Sequence, residues 1–144
     1  MQTLKKEKLI SMNDLIEYLL NYAFDHGIGY KLIHADPYDP SLSLKKHNLM
    51  VINLNWHNQS ELPFIIGHEI GHFILGDKGI LYYSSFAGQN SEEKSADLYA
   101  LNLLYDYACS RGQYFEEPGQ FLSAYGIPSR MAEAAKNLFD HNED

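Results

Sequence analysis

The sequence predicts an α+β domain, mostly helical, with a small antiparallel sheet packed beside one central helix. Three segments repeat apolar residues at helical spacing, in Met12 to Ala23, Ile66 to Ile74 and Ala96 to Tyr107. Between the first two, short aliphatic runs alternate with turn-forming clusters, the punctuation expected of strands. No linker, internal repeat or low-complexity stretch interrupts the 144 residues. A single domain over 1–144 is expected, with its ordered core over about residues 10–140.

Ser11 with Asp14 has the form of a capping pair opening a helix that runs to about His26. Met12, Leu15, Ile16, Leu19, Leu20 and Ala23 make its apolar stripe, and Gly27 stops it. Gly29 to Ala35 reads as a strand, with Tyr30, Leu32 and His34 on one face, and Asp36-Pro37 and Asp39-Pro40 mark a loop. Ser41 to Leu44 is a short strand that turns through Lys45 to Asn48 into Leu49 to Leu54, the most convincing strand of the chain. A second helix starts near Ser60, tolerates Pro63 in its first turn and stops at Gly76. Asp77 to Gln89 reads as a loop with a short strand through Ile80 to Tyr83. A third helix runs from about Asn90 to Ser110 on a stripe of Ala96, Ala100, Leu103, Leu104 and Tyr107. Pro118 to Tyr125 and Ser129 to Phe139 form a closing helical pair.

Composition narrows the function classes. A net charge of −8 leaves no basic face for phosphate contacts, so direct nucleic-acid binding is not expected. The one cysteine, Cys109, forms no internal disulfide, and Met1 leads into a polar, lysine-containing segment rather than an apolar leader. The longest apolar runs fall far short of a membrane span. A cytoplasmic location follows as the expectation.

The second helix carries His68-Glu69-Ile70-Gly71-His72. Helical positions i and i+4 share a face, so His68 and His72 can reach one ion, and Glu69 lies close enough to take a proton from its water. Ile66, Ile70, Phe73 and Ile74 fall on a different arc. Gly67 and Gly71 fall together between the two arcs, and such a costly pair predicts close approach by a neighbouring element. The competing reading is a helix whose histidines are merely solvated or capped. His26, His34, His47, His57 and His141 have no comparable spacing.

Catalytic zinc takes three protein ligands. The third helix offers Glu92 and Glu93, and Glu93 is favoured because Asp97, one turn on, can accept a hydrogen bond from a ligating imidazole. Ala96 and Ala100 would let the two helices pack closely. Against this, Asn90-x-x-Glu93 also has the form of a helix-capping pair, which would tie Glu93 to the backbone.

Taken together, Asn53 after an apolar strand, Phe64 to His72, and Glu93-Lys94-Ser95-Ala96-Asp97-Leu98-Tyr99-Ala100 resemble the ImmA/IrrE-type metallopeptidases. These are small cytoplasmic gluzincins common in bacteria and their mobile elements, and the resemblance runs in element order over roughly residues 10 to 140, closing segment included. It implies a zincin-like fold and one Zn2+ per chain held by His68, His72 and Glu93, with Asp97 behind them and Glu69 as catalytic base. It also implies a regulatory, site-specific endopeptidase whose protein substrate is a helix-turn-helix repressor. Three departures stand out. Asp97 replaces the usual Asn, Leu103-Leu104 runs on where a helix break is common, and the arginine typical of the final helix is missing from Met131 to Leu138.

A strand edge could hold a peptide beside such a site, and Leu49 to Leu54 is the candidate by position in the chain. His57, Tyr82 and Tyr83 are candidate oxyanion or substrate contacts, though each reads more readily as a core or surface residue. A non-catalytic metal-binding regulator and a metal-free structural domain remain alternatives, and spacing does not choose zinc over manganese or iron.

Overall fold

The computed structural model describes residues 11–77 and 88–142. In chain order these form α1 (Met12–Asp25), β1 (Gly29–Ile33), β2 (Leu42–Leu44), β3 (Leu49–Asn53), α2 (Leu62–Asp77), α3 (Gly88–Ser110), α4 (Pro118–Tyr125) and α5 (Ala132–Asn142). Single turns of 3-10 helix at Lys45–His47, Gln59–Glu61 and Ser129–Met131 lead into β3, α2 and α5. The class is α+β, mostly helical with a small sheet, as the periodicities predict. Among the described residues no helix is long and apolar enough to cross a membrane.

The first helix begins as its sequence dictates: Ser11 Oγ accepts the Asp14 amide at 3.3 Å, supplying one of the partners that a helix start lacks. Gly27, at φ 77°, turns the chain out of α1 into β1. The second helix runs one residue past Gly76, to Asp77, and the third begins at Gly88, two residues before the expected start. The expected strand at Ile80 to Tyr83 lies outside the described residues.

The sheet departs from expectation in two ways. Its strand order is β1-β3-β2, with β2 antiparallel to β3 but β1 parallel to it, so the sheet is mixed rather than wholly antiparallel. The short turn through Lys45–His47 forces the antiparallel pair, whereas a parallel pair needs a crossover. The loop after β1 and then β2 itself supply that crossover. Residues 35–41 wrap around the buried Asn53: its Oδ1 accepts the Ala35 amide at 3.0 Å and its Nδ2 donates to Asp36 O and Asp39 O at 2.7 and 2.9 Å. The second departure follows from the first. β3 is hydrogen-bonded on both sides, so Leu49 to Leu54 offers no free edge for a peptide, and among the described residues β2 is the edge strand on that side.

One face of the sheet, carrying Met50 and Ile52, packs into a core shared with every helix. The central helix α2 is buried around most of its circumference, with Ile66 and Ile70 fully covered and Phe73 nearly so. Its glycines explain how closely α3 approaches it. A Cβ on Gly67 would stand 3.1 Å from the Ala100 Cβ, and one on Gly71 would meet the Ala96 Cα and O at 3.1 Å. Four small residues thus let α2 and α3 cross backbone to backbone.

Gly126 docks the C-terminal pair. It ends α4 in the left-handed region at φ 63°, and a Cβ there would overlap Ser60 O at 1.8 Å, just before the central helix. Gly126→Ala therefore combines a strained backbone with a clash against main chain. The expected cost is about 3 kcal/mol or more, a fall in Tm of about 10 °C by thermal unfolding. An unchanged Tm would show that this docking is not needed.

Candidate metal centre

The α2–α3 crossing sets the distance between two faces that carry opposite halves of a polar cluster. From α2, His68 and His72 turn their Nε2 atoms towards each other at 3.1 Å. From α3, Glu93 reaches both, with Oε2 at 2.9 Å from His68 Nε2 and Oε1 at 3.0 Å from His72 Nε2. The ligating atoms of these three lie within 4.8 Å of one another, the one such group among the described residues.

The hydrogen bonds behind the cluster orient it. His68 Nδ1 bonds Asp97 Oδ1 at 2.8 Å. In the neutral ring this places the proton on Nδ1 and aims the Nε2 lone pair at the shared point. Asp97 is in turn gripped by Arg130, whose Nε and Nη2 donate to its two oxygens at 3.0 and 3.1 Å. A planar guanidinium on a carboxylate is a geometrically demanding pair. It ties the turn before α5 to the imidazole through one carboxylate. Arg130 stands in the 3-10 turn that leads into α5, 33 residues beyond its partner.

The donor set fits a divalent ion. Two nitrogens held at about 2.0–2.1 Å by a tetrahedral metal stand roughly 3.3 Å apart, close to the 3.1 Å found. One carboxylate and two imidazoles leave a fourth position open. Glu93 serves this cluster rather than a helix cap: α3 starts at Gly88, which places Asn90 inside its first turn, while the Glu93 carboxylate faces the histidines. Glu92 is not part of the group.

Electrostatics separate the side chains by role. Burial holds His72 below its ordinary pKa, favouring the neutral form that ligates. Burial also opposes charge on His68, but the Asp97 hydrogen bond and the negative charges of Glu69, Asp97 and Glu93 outweigh it and raise its pKa. Glu69 is 8% exposed, and burial pushes its carboxyl up against the opposing pull of Ser43 and His68. Asp97 moves the other way: burial is overcome by hydrogen bonds from His68 and Arg130, and its pKa is depressed.

Glu69 has a partner that spacing does not advertise. Ser43, the middle residue of edge strand β2, donates to Glu69 Oε1 at 2.6 Å. The alternation Leu42-Ser43-Leu44 puts the serine on the face towards α2, alongside Met50 in register. That alternation is a usable signal, though it acquires meaning only once β2 is known to lie against α2. Arg130 carries no such signal.

Of the remaining candidates, His57 is among the described residues. His57 stacks on Tyr38 with ring centroids 4.4 Å apart and bonds the Pro37 carbonyl through its amide, and it is not brought to the metal cluster. It lies in the segment between β3 and α2, held against Pro37 and Tyr38. Tyr82 and Tyr83 lie outside the described residues. No protein-family model, curated protein or solved structure matches this chain.

Proposed function

We propose that this protein is a zinc-dependent endopeptidase in which His68, His72 and Glu93 hold one ion and Glu69 is the general base. The observation that carries the reading is the convergence of two Nε2 atoms and both Glu93 oxygens on one point, with the buried, serine-bonded Glu69 one residue from a ligand. When bound, zinc supplies Lewis acidity that brings the pKa of a coordinated water to about 7.

The protein's own groups do the rest. Ser43 occupies one oxygen of Glu69, and the other accepts the proton of the attacking water and passes it to the departing amine. Burial that raises the Glu69 pKa makes the carboxylate a stronger base for the water's proton. Asp97 fixes the ring of His68, and Arg130 fixes Asp97. The edge strand β2 lies beside Glu69 and is the surface along which an extended peptide would add as a further strand.

The substrate follows from the resemblance to ImmA/IrrE-type peptidases: a helix-turn-helix repressor, cut at one site. The net charge of −8 suits a basic DNA-binding partner. Two measurements test the reading. Elemental analysis of protein purified without chelators is expected to find about one zinc per chain, and a repressor encoded beside the gene is expected to be cleaved in a chelator-sensitive way. Absence of stoichiometric metal would remove the reading at its base.

A further inference from the structure

Beside the metal cluster lies a cavity of about 190 Å³ lined by Trp56, Phe64, Ile65, Arg130 and the site residues His68 and Glu69, among others. Helical spacing places it there. Phe64 and His68 are one turn apart on α2, as are Ile65 and Glu69, so the same two rows of the helix carry the apolar wall and the chemistry. The wall is held in place from outside. Trp56 Nε1 donates to Glu61 Oε1 at 3.0 Å, and the Arg130 guanidinium lies 5.5 Å from the centre of the Phe64 ring while both its bonds go to Asp97.

We infer that this cavity is the side-chain subsite of the substrate, taking one uncharged apolar residue of leucine to phenylalanine size next to the bond that is cut. The inference rests on the peptidase reading above and adds which residue the peptide must present. Size supports it: a cavity of about 150 Å³ lined by apolar side chains admits a benzene ring. Charge supports it as well. The carboxylates of Glu69 and Glu93 line the cavity and oppose an acidic side chain, and Arg130 is committed to Asp97. A lysine could reach Glu69 and Glu93, but Ser43 and the histidine cluster already engage those carboxylates, and its ammonium would have to give up water against Trp56, Phe64 and Ile65. Because His68 and Glu69 line the same space, a side chain seated there brings its own peptide bond to the reacting groups.

Trp56 is the only tryptophan in the chain and reports on the cavity directly. Zinc-loaded Glu69→Gln protein, which binds without turnover, is titrated with the N-acetyl amides of leucine, phenylalanine, glycine and lysine while Trp56 emission is followed. The leucine and phenylalanine compounds are expected to give a saturable change and to bind at least about tenfold more tightly than glycine or lysine. Ile65→Phe, added to that protein, fills the cavity and is expected to abolish the preference, whereas Ile65→Ala keeps it. Circular dichroism and zinc content establish that both variants fold. Equal binding of the four compounds, or a preference that survives Ile65→Phe, overturns the subsite. Peptide cleavage by the parent protein separates this from the reading it rests on. Cleavage indifferent to apolar side chains removes the subsite and leaves the peptidase, while apolar binding without cleavage of any peptide removes the peptidase and leaves the cavity's preference standing.

Discussion

Replacing Glu69 by glutamine is expected to lower peptide turnover by about 10²- to 10⁴-fold while metal content and Tm stay close to those of the parent. Glutamine keeps the volume of the side chain and an oxygen to accept the Ser43 hydroxyl, so packing and orientation survive. What disappears is the ability to take a proton. The neighbouring Ser43→Ala substitution is a graded control: the carboxylate remains, but it loses a charge-assisted hydrogen bond at 2.6 Å, and turnover should fall about tenfold with zinc retained. Steady-state cleavage of a repressor-derived peptide, with zinc measured on the same samples, reads both effects. A folded, zinc-loaded Glu69→Gln protein that cleaves at the parental rate excludes Glu69 as the base. One that cleaves nothing yet still relieves repression in cells would instead mark a regulator that works by binding its partner.

The second large effect is on the metal. Glu93→Ala removes one of the three groups that could hold an ion, and it is expected to weaken zinc binding by several orders of magnitude, on the order of 10³-fold or more, measured by competition with a chromophoric chelator. Asp97→Asn should cost less, about 10- to 100-fold, because it acts through the ring of His68 rather than on the ion. The ordering of the two losses is the informative result. If Glu93→Ala keeps full affinity and loses only thermal stability, Glu93 is a helix-start residue after all and the cluster has two protein ligands. The 53% exposure of its side chain makes a large stability effect unexpected.

Much of this centre was legible because its geometry is local. The spacing of His68, Glu69 and His72 is converted to a shared face by helical pitch alone, with no help from the rest of the fold. Gly67 and Gly71 were equally readable. Two glycines on one helical face signal a close neighbour, and Ala96 and Ala100 are the residues they meet. The apolar stripes of α1 and α3 behave the same way, since Leu19, Ala96, Ala100 and Leu104 are all completely buried.

Strand pairing was legible only in part. The turn at Lys45–Asn48 announced β2 and β3 as an antiparallel pair, but nothing local stated that β1 would pair with β3 from the other side. That pairing depends on where residues 35–41 cross, and their path is set by the hydrogen bonds of a single buried side chain, Asn53, to backbone atoms 14 to 18 residues away. The misplacement of the peptide-binding edge on β3 has the same origin.

By itself, then, the sequence determined the type of the main described elements and the face that carries two imidazoles and a carboxylate, and it favoured Glu93 and Asp97 as their partners. Each of those is a statement about residues within one or two helical turns, or about two helices whose small residues advertise contact. Only the tertiary structure decided that Ser43 holds Glu69, that Arg130 holds Asp97 and that Trp56 shares a cavity with Phe64 and Ile65. These pairs lie 26 and 33 residues apart in the two hydrogen-bonded cases. They form across elements whose relative placement is set by collective burial, a non-directional force that leaves no period and no spacing for a sequence to display.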